Sequence, residues 1–292
     1  MMKNLTLTFL IVAMLESVAT GQIKIDIFQS NVPETEIIDQ EIMEFVYKYS
    51  WCNDTTVRQE GNYTSDKMLL QIAQSGLSKF SSYTNITVDS ILMNSSDEQI
   101  SDAIDNGRLS HGDFMTILKN YAERRLTHTE KICTDWLKYE EDIPELGWEL
   151  IDSVKYILGY KCLGAICSFR GREWTVFYCE DIPIMDGPWK LCGLPGLIMK
   201  ANDKDRQYNF ECIGINSNIK RPITEYRVNF NNTSRMKFYD TKHRYDINPI
   251  AYFIGGGGTV NVNFTDETGN PKLDAYDPVE LPYDYIERDW RK

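Results

Sequence analysis

Residues 160–179 read YKCLGAICSFRGREWTVFYC. Two runs rich in aromatic and β-branched side chains, Tyr160 to Phe169 and Trp174 to Cys179, flank Arg170, Gly171, Arg172 and Glu173. A short charged break containing glycine between two such runs predicts a β-hairpin, because glycine supplies the positive φ that a tight turn needs. The same grammar recurs outward. Leu126 to Thr129, Trp148 to Ile151 and Ser153 to Leu158 are short strand-like runs separated by Gly, Pro and Asp. Asn202 to Arg206 predicts a second hairpin between Leu197 to Ala201 and Tyr208 to Ile215. Upstream, Gln22 to Asp54 reads as an extended lead-in and a strand, with Ile42, Phe45, Tyr47 and Tyr49 suited to a pleated surface, followed by Lys67 to Ile72 and Ser78 to Ser82. Between Val88 and Leu118 the spacing of Ile91, Leu92, Ile100, Ile104 and Leu109 is more helical, ahead of Phe114 to Leu118. Strands at Thr224 to Phe230 and Thr259 to Phe264 flank a polar stretch, and the tail from Asp277 to Trp290 reads as extended against the surface. The expected fold is α+β and mainly antiparallel β: a curved antiparallel sheet with one or two helices, forming a single domain over residues 22–292.

Residues 1–21 predict a secretory signal peptide: Lys3, an apolar run from Leu5 to Leu15, and small residues at Ala19 and Gly21, with cleavage before Gln22. The run is too short to span a bilayer, and the first cysteine is Cys52, so the reading is a soluble exported chain without a lipid-bearing cysteine or a membrane span. A net charge of −12 without any basic run excludes a nucleic-acid surface. Seven cysteines in an exported chain predict disulfides, with Cys162, Cys167, Cys179, Cys192 and Cys212 bracing the central region and at least one cysteine left over.

The least generic segment is residues 181–198, DIPIMDGPWKLCGLPGLI, which sets Pro183, Gly187, Pro188, Gly193, Pro195 and Gly196 among large apolar residues. Leu194-Pro195-Gly196-Leu197 predicts a type II turn, with Gly196 at the position needing positive φ. The hexapeptide Gly193, Leu194, Pro195, Gly196, Leu197, Ile198 resembles the signature of the GLPGLI family, exported proteins mainly of the Bacteroidota. The resemblance extends to Leu158-Gly159-Tyr160-Lys161-Cys162 with Ala165, to Phe169-Arg170-Gly171-Arg172 with Trp174 to Tyr178, to Ser78-Lys79-Phe80-Ser81-Ser82 with Asp89-Ser90, and to Tyr276-Asp277-Pro278-Val279-Glu280-Leu281. It covers most of the chain after residue 21. It implies a periplasmic or envelope protein without established catalytic residues, and an outer-membrane transporter or another envelope protein as partner. The cysteines Cys179 and Cys192 depart from the family's pattern.

Candidate chemistry is sparse. Segment 181–198 either lines a ligand groove, with Trp189 as a flat apolar face, or buries a rigid turn under the core; the turn-forming bias of Pro and Gly favours the second. Arg170 and Arg172 at the hairpin tip are the best candidates for an anion site, weighed against solvated turn charges. His111, His128 and His243 lack metal-ligand spacing, and no metal or cofactor is assigned. Cys162, Cys167 and Cys192 form a soft-metal candidate if reduced, with disulfide pairing favoured. Ser75-Gly76 and Ser78-Lys79 complete no nucleophile motif, and Gly255 to Gly258 lack the residues of a phosphate loop. Carboxylate pairs such as Glu140 with Glu141, or Asp181 with Asp186, suit glycosidase-type work but arise readily in an acidic chain. Asn85-Ile86-Thr87 and Asn263-Phe264-Thr265 are sequons for a eukaryotic route. For the lineage that the resemblance implies, Ser90 and Ser153 are O-glycosylation candidates. The leading expectation is a non-enzymatic accessory or binding protein using the concave face of its sheet; the alternatives are an envelope hydrolase and soft-metal handling by the cysteines.

Overall fold

Thr35–Cys52 form an 18-residue strand, β1, that organises the protein. Its alternate residues Phe45, Tyr47 and Tyr49 are almost fully buried, the period-two pattern of a strand with one face in the core. The computed structural model describes residues 32–57, 62–107, 109–256 and 277–291. The predicted signal peptide, the Thr259 to Phe264 strand and the Asn263 sequon lie outside these.

On one side β1 pairs with β2 (Tyr63–Ala73), which hairpins to β3 (Leu77–Ser82). Two helices follow, α1 (Tyr83–Asn94) and α2 (Asp97–Asp105), capped by Ser82 and Ser96, whose side chains accept from the free N–H groups of the first turn. The chain then returns as β4 (Thr116–Asn120), β5 (Arg125–Ile132) and β6 (Asp135–Asp142), each antiparallel to its neighbour. β7 (Glu149–Ile157), β8 (Tyr160–Phe169), β9 (Arg172–Cys179), β10 (Leu197–Asp203) and β11 (Tyr208–Asn216) form a meander that closes back on the second half of β1. β12 (Pro222–Tyr226) pairs with the first half of β1, and β13 (Asn231–Asn232) adds a short parallel edge to β6. The described residues thus form one mostly antiparallel thirteen-stranded sheet, ordered β13-β6-β5-β4-β3-β2-β1-β11-β10-β9-β8-β7 with β12 off this path.

The mainly antiparallel β reading and both predicted hairpins are seen. In the first hairpin Arg170 and Gly171 both have positive φ, 53° and 77°, the two-residue turn that matches strand twist. The two runs read as Trp148 to Ile151 and Ser153 to Leu158 are one strand, β7, with a bulge between Ile151 and Val154. The helix count of one or two is corrected to four among the described residues, because the polar stretch after β12 folds as α3 (Arg235–Ile247) and α4 (Pro249–Gly255). Only Phe238 and Tyr239 of α3 are buried, and they pack with Ile132, Leu137, Tyr139 and Tyr285 in a second, aromatic core. The tail is also less superficial than expected: Tyr285, Ile286 and Glu287 are buried. All seven cysteines are free thiols, dispersed over β1, the β5–β6 turn, β8, β9, the segment before β10, and β11. No described helix is long and apolar enough to cross a membrane.

Candidate functional site

The inner face of the sheet is filled. The cross-strand row Phe80, Ile117, His128, Tyr139 on β3 to β6 points into the core, with every member at most 1% exposed. Phe45, Tyr47, Phe210 and Trp174 continue the core across β1, β11 and β9. Along this row the inner face is packed by the protein's own side chains.

Segment 181–198 lies against this core. Trp189 is fully buried between Phe169 and Trp174, with centroids at 5.5 and 5.4 Å, so it is a core residue and offers no ligand surface. The type II turn is not formed: Gly193 takes the positive φ, 90°, while Gly196 has none. Gly196 is required for a different reason, since a Cβ there would stand 2.1 Å from the Cys179 carbonyl oxygen. The segment's backbone satisfies itself, with Leu197 N donating to Ile182 O at 3.0 Å and Ile198 N to Asp186 O at 3.0 Å.

Two buried charges fasten the segment. Asp186, 1% exposed, pairs with fully buried Lys119 and accepts from Ser78 Oγ at 2.5 Å and from Gly187 N at 2.7 Å; Lys119 also donates to Gly187 O at 3.0 Å. Lys190, fully buried, pairs with Glu141 and with Glu287 Oε1 at 2.7 Å and donates to Tyr139 Oη at 2.8 Å. Glu287 also meets Arg235 at 2.7 Å and Arg170 at 3.5 Å. Burial pushes its carboxyl up, but these cations outweigh burial and hold it below the usual carboxylate range. Arg170 thus forks onto the protein's own Glu141, Glu287 and Asp289. Arg172, 3% exposed, donates to Asp203, Gln207 and the carbonyls of Asp284, Tyr285 and Ile286, tying the tail across the hairpin. The anions these two arginines hold are internal ones.

The network runs on through Tyr139. Because Lys190 donates to its oxygen, its O–H is left for His128 Nδ1 at 2.8 Å, and His128 Nε2–H then faces Glu130 at 3.4 Å. Burial lowers the His128 pKa, keeping the ring neutral at pH 7. Glu130 closes the chain by pairing with Lys242 of α3. Burial raises Glu130, but Lys242 and His128 outweigh it and bring its pKa down to about 2. Asp113, just before β4, is pushed the other way, to about 6, by burial and then by the negative charge of Glu130.

A raised carboxyl pKa works against folding above its unfolded value, so Asp113 weakens the fold as pH rises from about 4 to about 6, and the penalty is constant above that. Asp113→Asn keeps an acceptor for the Met115 N–H and removes that charge. It is expected to raise stability by about 1–3 kcal/mol at pH 8 and by little at pH 4, read by urea unfolding at both values.

The outer face of β3 to β6 differs in character. Lys79, Leu118 and Thr127 form one cross-strand row there, Thr116 and Thr129 pair beside it, and Lys131 pairs with Trp136. Thr224, Glu225, Tyr226 and Phe230 of the β12 segment border these strands and leave a cleft over the threonines. A second cleft, lined by Asp89, Leu92, His111, Phe114, Lys131 and Trp136, adjoins it and shares Tyr226. Trp136 stands 5.1 Å from Tyr226 and 6.1 Å from Phe230, centroid to centroid, and Tyr226 Oη donates to Asp89 at 2.5 Å. Burial lowers Lys79 to about 8, with Glu225 and Asp89 opposing, and Lys79 donates to Thr224 O at 2.5 Å. Half-buried aromatic faces, hydroxyls and a partly desolvated amine line this shallow surface. Sequence reading missed it; the signal was the alternation Thr127, Thr129, Lys131 opposite the inward Leu126, His128, Glu130.

Among the described residues no group of three or more His, Cys, Asp or Glu side chains is placed to hold a metal ion. Ser90 is exposed on α1, and Ser153 sits in the bulge of the edge strand β7. No known family profile matches the chain, and no curated protein matches it. Among solved structures, PNGF-II in its P21 crystal form superposes with a TM-score of 0.45 and 14% identity, over 69% of this chain and 32% of that one. Its C2 form gives 0.45 and 14%, over 68% and 32%. This chain spans about a third of PNGF-II's length, and a likeness of that degree fixes neither a topology nor an activity.

Proposed function

We propose that this protein is an exported accessory or binding protein of the cell envelope, similar to GLPGLI proteins, that engages its partner through the outer-face groove beside Tyr226 and Trp136. One observation carries the choice of surface: two adjoining clefts combine half-buried aromatics, threonines and Lys79, while the inner face behind them is packed and the motif is fastened inside. Export rests on the predicted signal peptide, and an envelope partner on the family resemblance. The combined substitution Trp136→Ala and Phe230→Ala is expected to leave the melting temperature within a few degrees and to abolish co-purification of an envelope protein from native cells. Retention of the same partner by the variant would refute the groove, and recovery of the wild type from the cytoplasm would refute export.

A further inference from the structure

The cysteines of β8 and β9 stand in a relation that their spacing in sequence does not reveal. In the β8–β9 ladder Leu163 faces Tyr178, Ala165 faces Val176 and Cys167 faces Trp174. One further step of this register places Cys162 opposite Cys179. The outer neighbours agree, since β7 sets Lys155 against Cys162 and β10 sets Leu197 against Cys179, so the four residues form one row across four strands. Both thiols are fully buried, and Cys179 is close enough to contribute to the upward shift of the Cys162 thiol. Directly opposed residues of an antiparallel pair have Cα atoms about 4.5–5.5 Å apart, within the span a disulfide bridges. Met199 Sδ lies 3.5 Å from Cys162 Sγ, a soft neighbour on the β10 side of the pair.

We propose that Cys162 and Cys179 are a cross-strand thiol pair that closes to a disulfide by exchange with an external protein or glutathione disulfide, stapling β8 to β9. One thiolate attacks the external disulfide, forming a mixed disulfide and expelling one external thiolate. The second cysteine thiolate attacks the mixed disulfide at the cysteine sulfur and expels the other. Two electrons pass to the external disulfide, which leaves as two thiols carrying the two protons, and one S–S bond is formed for one broken. Burial in the finished fold pushes Cys162 up to about 12 and leaves almost no thiolate at pH 7, so the exchange belongs to folding, after the hairpin pairs and before the two thiols are buried.

The test is refolding of the full chain in a glutathione redox buffer, followed by peptide mapping without reduction. The expected result is a linked pair of peptides containing Cys162 and Cys179, two hydrogens lighter than their thiol forms. The double variant Cys162→Ser and Cys179→Ser is expected to melt about 5–10 °C below the oxidised wild type and to match it once reductant is added. The match in reductant shows that the variant folds. Both cysteines at free-thiol mass after oxidative refolding, or Cys162 linked to Cys212 instead, would overturn the assignment.

Discussion

Gly196→Ala is expected to destabilise the protein by at least about 3 kcal/mol, or to prevent folding, while Gly193→Ala costs about 1–2 kcal/mol. The two glycines sit three residues apart in one hexapeptide and serve different ends. Gly193 has φ at +90° with open space around it, the nearest atom to an added Cβ being Trp148 Nε1 at 3.9 Å, so alanine meets only backbone strain. At Gly196 the added carbon would lie 2.1 Å from the Cys179 carbonyl oxygen, 2.6 Å from its carbon and 2.9 Å from Glu180 N. All three are backbone atoms at or just past the end of β9, which cannot yield as the tip of a side chain can. Urea unfolding of both variants checks the order. Equal costs would mean that the close approach of Gly196 to β9 is wrong.

Lys190→Met is expected to cost about 3 kcal/mol, since it leaves Glu287 and Glu141 with one cation fewer in a region shielded from water. In the intact protein Lys190, Arg170 and Arg235 face Glu141, Glu287 and Asp289, three charges against three. Lys190→Met with Glu287→Gln restores that balance and is expected to recover at least about 1 kcal/mol of the loss, a coupling that chemical denaturation of the single and double variants measures. Glu287 has a depressed pKa, so its contribution is present above the ordinary carboxylate range and lost as pH falls. The gap between wild type and Lys190→Met should accordingly narrow in acid. A gap that widens there would assign the stabilisation to something other than this carboxylate.

How much was legible in the sequence depended on whether a local rule was at work. Turn chemistry fixed the 160–179 hairpin because Arg170 and Gly171 carry the whole turn themselves. β6 escaped because its inward row is Leu137, Tyr139, Glu141, and a charged residue at a core position breaks the apolar alternation. α3 escaped because its sequence, RMKFYDTKHRYDI, has no continuous apolar stripe: Phe238 and Tyr239 anchor it, and Lys242 and Arg235 bind it through ion pairs. Buried charge is the general blind spot, since Lys and Asp are ordinarily surface residues. Yet Lys119 follows Met115 and Ile117 at strand spacing, so alternation alone turned it inward. The Arg170 and Arg172 candidates failed to signal their partners for another reason: several acceptors lie in the tail, more than a hundred residues away, the others on strands or loops about thirty residues off, and only the folded topology brings them together.

The sharpest test of the functional proposal is photo-crosslinking in the native envelope from a benzoylphenylalanine placed at position 230, beside the groove, compared with one at the exposed Met93 of α1. The expected result is a specific adduct with one envelope protein from position 230, absent from position 93 and lost when Trp136→Ala is added. Adducts of equal yield from both positions, or none from position 230, would contradict the groove as the working surface.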